Sequence, residues 1–137
     1  MSINLTSENS LVFQVKHPIT LRLQKIYKKC LHLAKKNEQM FTIIDLIKPA
    51  YQLALVTTAS KANTMDILME FGVKNSFDFI ITQEDVNKTK PDPECFMKVM
   101  DIAGVGIENT IIFEDSEAGL KAAELSGAKY VKVFGYN

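Results

Sequence analysis

Hydrophobic positions in the second half of this chain form short continuous runs that alternate with longer, periodic ones. QLALVT (52–57), DFII (78–81), TIIF (110–113) and KYVKVF (129–134) are brief apolar runs closed by small or polar residues, the form of strands buried on both faces. Between them the apolar residues recur at helical spacing. Met65, Leu68 and Met69 follow the cap residue Ser60 and precede Gly72. Phe96, Val99, Met100 and Ala103 follow Asp92-Pro93 and precede Gly104; Ala118, Ala122 and Leu125 follow Ser116 and precede Gly127. The methionines at 65, 69, 97 and 100 keep this spacing and are expected in the core. Four strands alternating with three helices predict crossover connections in a mostly parallel sheet covered on both faces, an α/β three-layer sandwich of Rossmann-like type.

The first half is less regular. Leu23, Ile26, Tyr27, Cys30 and Ala34 fit one helix, and Met40, Ile43, Ile44 and Ile47 fit a second that must stop before Pro49. Ahead of both, SLVFQV (10–15) reads as a further strand. Neither a repeat, a low-complexity segment nor a linker divides the 137 residues, so 1–137 is expected to be one domain.

Composition narrows the function classes. Sixteen basic residues balance sixteen acidic ones, which argues against nucleic acid or an anionic membrane as partner. No apolar run reaches transmembrane length, and the polar start MSINLTSENS is not a secretory signal. Cys30 and Cys95 lack metal-ligand spacing and sit in helical apolar patterns, so both read as reduced core residues, and a cytoplasmic location is expected.

The chemistry collects where strands end, which is where open parallel sheets bind ligands. Thr57 and Thr58 close the first run, Lys88 and Lys90 follow DFII, and Glu114 and Asp115 close TIIF. Adjacent carboxylates repel unless a positive charge or water relieves them. Hydroxyl, ammonium and a carboxylate pair together suit a phosphate bound with a hard cation such as Mg²⁺. Each residue also has a plainer reading. Thr57 can satisfy backbone at a strand end, Lys90 can be a solvated loop lysine, and Glu114 with Asp115 can favour the following helix N-terminus. Turn or cap roles account for Asp85 and Asp92, and packing accounts for His17 and His32.

LALVT-TAS, TKPDPECF and IIFEDSEAGLKAA, in that order on those elements, resemble the second, third and fourth motifs of the haloacid dehalogenase superfamily. The likeness is to its phosphoglycolate phosphatase and β-phosphoglucomutase-like branch and runs from about residue 50 to the end. It implies a haloacid dehalogenase-like fold in which Thr57, with Thr58 beside it, binds a phosphoryl group. It further implies that Lys90 steadies phosphate and nucleophile, and that Glu114 and Asp115 bind Mg²⁺. Thr89 stands where the family usually has glycine.

A larger departure lies upstream. The family reacts through an aspartate at the end of its first strand, with a second aspartate two residues on as general acid and base, yet this chain contains no Asp-x-Asp. Laid on VFQVKHPI (12–19), the pattern puts Gln14 at the nucleophile's place and Lys16 at the acid/base's place. An amide oxygen is a poor nucleophile and forms no acyl-phosphate, while an ammonium at 16 would relieve the carboxylate pair as Mg²⁺ does, and could displace it. Alternatively, the first strand is missing and residues 20–48 are what remains of a helical cap, otherwise reduced or absent, with a complementing chain to supply the aspartates.

Three functions follow as expectations: a family member whose hydrolase activity is impaired or lost, an active Mg²⁺-dependent phosphatase of small phosphorylated metabolites, or a non-catalytic binding module. A receiver-type signalling domain fits less well, since it wants an acidic pair near the N-terminus. A reduced cap would leave an apolar face and favour a homodimer.

Overall fold

The computed structural model describes residues 10–13 and 38–133. Gln14, Lys16, His17, the helix expected over Leu23–Ala34, Cys30 and His32 lie outside the described residues.

Among the described residues, five parallel strands form two small sheets. β1 (Ser10–Phe13) pairs with β2 (Gln52–Val56), which pairs with β3 (Phe79–Ile81); β4 (Ile111–Glu114) pairs with β5 (Lys129–Lys132). The two sheets abut where β1 meets β4, so the spatial order is β3-β2-β1-β4-β5. Four α-helices accompany them among the described residues: α1 (Glu38–Ile47), α2 (Lys61–Glu70), α3 (Glu94–Ala103) and α4 (Glu117–Ser126).

β2 explains the layering. Its side chains alternate across the pleat, so Leu53 and Leu55 face one core and Ala54 and Val56 the other. The first core takes Phe41 and Ile44 from α1 and Leu68 from α2. The second takes Cys95, Phe96, Val99 and Met100 from α3, Ala122 and Ala123 from α4, and Ile112 from β4. Both faces of β2 are thereby covered, as its uninterrupted apolar run requires, whereas β5, expected from KYVKVF to be buried on both faces, is exposed from Lys129 to Lys132.

The punctuation works as the residue types dictate. The Ser60 and Ser116 hydroxyls accept from the amides of Asn63 and Gly119 and cap α2 and α4. Gly104 and Gly127 end α3 and α4 in the left-handed conformation that glycine adopts without steric penalty. α1 stops at Ile47, ahead of Pro49. Asp92 serves α3 from one residue further out than a cap, its carboxylate accepting from the Glu94 amide at 3.0 Å.

Some helix faces differ from expectation. In α4 the buried side is Gly119, Ala122, Ala123 and Ser126, whereas Ala118 and Leu125 face outward. Met100 is in the core, but Met69 and Met97 are exposed, as is Ile43. Small residues let a helix approach the sheet closely, so packing distance rather than side-chain size selected the inward face of α4.

Candidate active site

Three of the residues expected to handle phosphate converge. Thr57, Thr58 and Lys90 line one half-open concavity at the carboxyl end of β2 and β3, together with Gln83, Thr89 and Cys95. Its empty space is about 190 Å³, open solvent included. Gln83 escaped sequence reasoning; the signal available was its position just past β3, where strand-end rules place ligand contacts.

Thr57 is buried at the end of β2. Its amide donates to the Ile81 carbonyl, and its hydroxyl accepts from the Ala59 amide at 3.0 Å, tying the strand end to the turn before α2. Thr58 is half-buried. The loop after β3 is tied at several points. Thr82 and Asp85 form a reciprocal cap: the Asp85 carboxylate accepts from the Thr82 amide and hydroxyl. Burial pushes the Asp85 pKa up, but the Thr82 hydrogen bonds outweigh it and hold the carboxyl below its ordinary range. Glu94 accepts from the Asn87 and Lys88 amides, which lowers its pKa. Lys88 does not line the concavity; its side chain is exposed and 3.8 Å from the Asp92 carboxylate.

Lys90 and Glu114 meet. The ammonium lies 2.8 Å from Glu114 Oε2, with side-chain exposures of 2% and 0%. Phe96 lies beneath, its ring centroid 4.4 Å from Nζ, a cation–π distance. Burial pulls the Lys90 pKa below the ordinary lysine value, while Glu114 and, more weakly, Asp115 oppose that. The other carboxylate oxygen of Glu114 accepts from the Asp115 amide (3.1 Å), the Ser116 amide (3.0 Å) and the Ser116 hydroxyl (2.8 Å). Space for this carboxylate comes from Gly119, where a Cβ would lie 2.0–2.4 Å from its atoms. The E-D-S-x-x-G spacing is therefore a mould. The strand delivers the acid, the next two residues donate to it, and the missing side chain one turn into α4 leaves room for it.

This donor set does not fit magnesium as it stands. Mg²⁺ takes oxygen ligands at tight octahedral distances and keeps several waters. Both oxygens of Glu114 are already engaged inside the protein, leaving half-buried Asp115 as the other carboxylate at that strand end. Among the described residues, no three histidines, cysteines or carboxylates converge. The cation found against Glu114 is Lys90; Lys16, expected there from the sequence, lies outside the described residues.

Comparison with known proteins agrees with the motifs. The profile of the haloacid dehalogenase-like hydrolase family matches residues 3–133. The chain is similar to a pyrophosphatase of Halalkalibacterium halodurans, 34% identical over 95 residues, covering 69% of this chain and 44% of that one. It is similar also to a phosphoglycolate phosphatase of Pseudomonas putida, 30% identical over 97 residues, covering 70% of this chain and 36% of the other. A solved structure of a HAD-superfamily hydrolase, subfamily IA, from Geobacter sulfurreducens superposes with a TM-score of 0.71 at 28% identity, over 77% of this chain and 54% of that chain. The chain thus spans less than half the length of these two curated relatives.

Proposed function

Because the chain belongs to the haloacid dehalogenase-like hydrolases, we propose that it binds the phosphate of a small phosphorylated metabolite at the carboxyl end of its sheet, with hydrolytic turnover impaired. The observation that carries the binding half is the convergence of Thr57, Thr58 and Lys90 on one concavity at the strand ends. Two hydroxyls and an ammonium are the donors an anion needs, and charge-assisted hydrogen bonds are the stronger kind. Lys90 holds one donor on Glu114 and keeps others for a phosphoryl oxygen.

The impairment half rests on the sequence. Gln14 follows the carboxyl end of β1, at the position where the family's pattern puts its nucleophile. Without a carboxylate there, the phosphoryl group has no local acceptor to form an acyl-phosphate. Lys16 in the acid/base's place likewise starts as a proton-loaded cation, unsuited to activating water. No step is assigned to Mg²⁺, since the described donors do not fit it. A second reading, in which another segment or a second chain supplies the aspartates, draws on the fact that the match covers 44% and 36% of these two curated relatives.

The test is phosphate release from a panel of small phosphate esters in millimolar MgCl₂, alongside the shift of the unfolding midpoint by inorganic phosphate. The wild type is expected to release phosphate at background yet gain stability with phosphate, and Gln14→Asp combined with Lys16→Asp to gain measurable release. Turnover in the wild type that vanishes in Asp115→Asn would overturn the impairment and favour the second reading. A midpoint indifferent to phosphate would overturn the binding.

A further inference from the structure

We propose that Lys90 is the resident counter-cation of Glu114, so that the end of β4 is neutralised from within and the fold needs no divalent metal there. The inference stands whether or not the chain turns over a phosphate ester, since it concerns the pair and not a ligand.

Four features of the structure converge on it. First, the carboxylate of Glu114 is turned into the protein: with a Cβ at 119 lying 2.0 Å from its Cδ, it occupies the space that Gly119 leaves open. Second, Oε1 is saturated by three donors from Asp115 and Ser116. Third, Oε2 receives the Lys90 ammonium at 2.8 Å, and that ammonium is itself enclosed, seated over the Phe96 ring. Fourth, Asp115 adds its charge to the field at Lys90, so one cation serves the adjacent carboxylates that would otherwise repel.

A magnesium ion competing for this position would have to displace an almost fully buried ammonium from a fully buried carboxylate. Mg²⁺ also gives up water reluctantly, and a carboxylate with no exposed surface offers no room for the waters it retains. The lysine, by contrast, has already lost its water on folding. Removing one partner of such a pair leaves the other charged, buried and uncompensated, which costs far more than removing both.

The experiment is thermal unfolding of the full chain in EDTA and across millimolar MgCl₂ at constant ionic strength. The variants are Lys90→Met, Glu114→Gln, the double variant and Asp115→Asn. The wild-type midpoint is expected to be the same in EDTA and in MgCl₂. Each single substitution at the pair is expected to lower it by about 10 °C. The double variant, carrying neither charge, is expected to recover most of that loss. A wild-type midpoint that climbs saturably with MgCl₂, and no longer does so in Asp115→Asn, would overturn the proposal. So would a double variant no more stable than either single one. Should Lys90→Met fail to fold, the magnesium titration of the wild type and the comparison of Glu114→Gln with the double variant decide the question. Failure of the phosphate-binding test leaves these readouts untouched, so the two proposals fall separately.

Discussion

Cys95 illustrates how a single residue's surroundings set its chemistry. It lines the strand-end concavity yet is almost wholly buried, and burial pushes its thiol up to about 11, with Lys90 only partly offsetting this. A thiol protonated at neutral pH is neither a nucleophile nor a metal ligand, which agrees with the core role that its helical position suggests. Between roughly pH 9 and 11 the folded chain keeps a proton that the unfolded chain releases, so stability falls as pH rises through that window and is unaffected below it. The loss amounts to about 2–3 kcal/mol. Urea unfolding from pH 8 to 11, compared with Cys95→Ala, should show the extra slope in the wild type alone. At pH 8, peptide mass spectrometry should find Cys95 unalkylated by iodoacetamide until urea is added. Cys95 and its role could be read from spacing alone, whereas the pairing of Lys90 with Glu114 could not. Those two residues lie 24 positions apart, and only the fold brings a loop and a strand end together.

Among the elements, the turn into α4 does more than begin a helix. The Ser116 hydroxyl accepts from the Gly119 amide and donates to Glu114, so it caps α4 and closes the carboxylate's shell in one contact network. Ser60 caps α2 without such a partner charge: it accepts from the Asn63 amide, and its carbonyl accepts from the Thr64 hydroxyl. Ser60→Ala should therefore cost about 1 kcal/mol, the usual worth of a cap. Ser116→Ala should cost about 1–3 kcal/mol more, because a buried charge loses a donor. Chemical denaturation of the two variants side by side checks the difference. Both caps were legible in the sequence, as were both terminal glycines. The inward face of α4 was not, because Gly119, Ala122, Ala123 and Ser126 carry a weaker hydrophobic signal than Leu125, which points outward. Methionine misled in the same way at 69 and 97, since helical spacing alone does not say which of two adjacent stripes meets the sheet.

At the scale of the molecule, sheet order decides which segment is indispensable. β1 pairs with β2 in parallel and abuts β4, so the least obvious strand stands in the middle. SLVFQV was the segment available to fill that place, and Ser10–Phe13 does so. Proline within a central strand removes a ladder donor and crowds its neighbour. Val12→Pro, opposite Ala54, should lower stability by at least about 2 kcal/mol, seen as a drop in urea midpoint. An unchanged midpoint would mean that β1 contributes little to the sheet. A strand over SLVFQV and a site at the strand ends were thus within reach of sequence reasoning, because both follow from alternation and punctuation, whereas the central place of that strand was implied only by the family resemblance. The arrangement of charge there was not, because it depends on which way one carboxylate turns.

That turn has a hereditary side. Glu114 and Gly119 occupy one volume between them, so their sequence histories are joined: a lineage that exchanges glycine 119 for any residue bearing a Cβ must first shorten or reposition the acid at 114. A lineage that has already lost the acid is free to vary at 119. Five residues apart on the chain, the two positions are expected to change together.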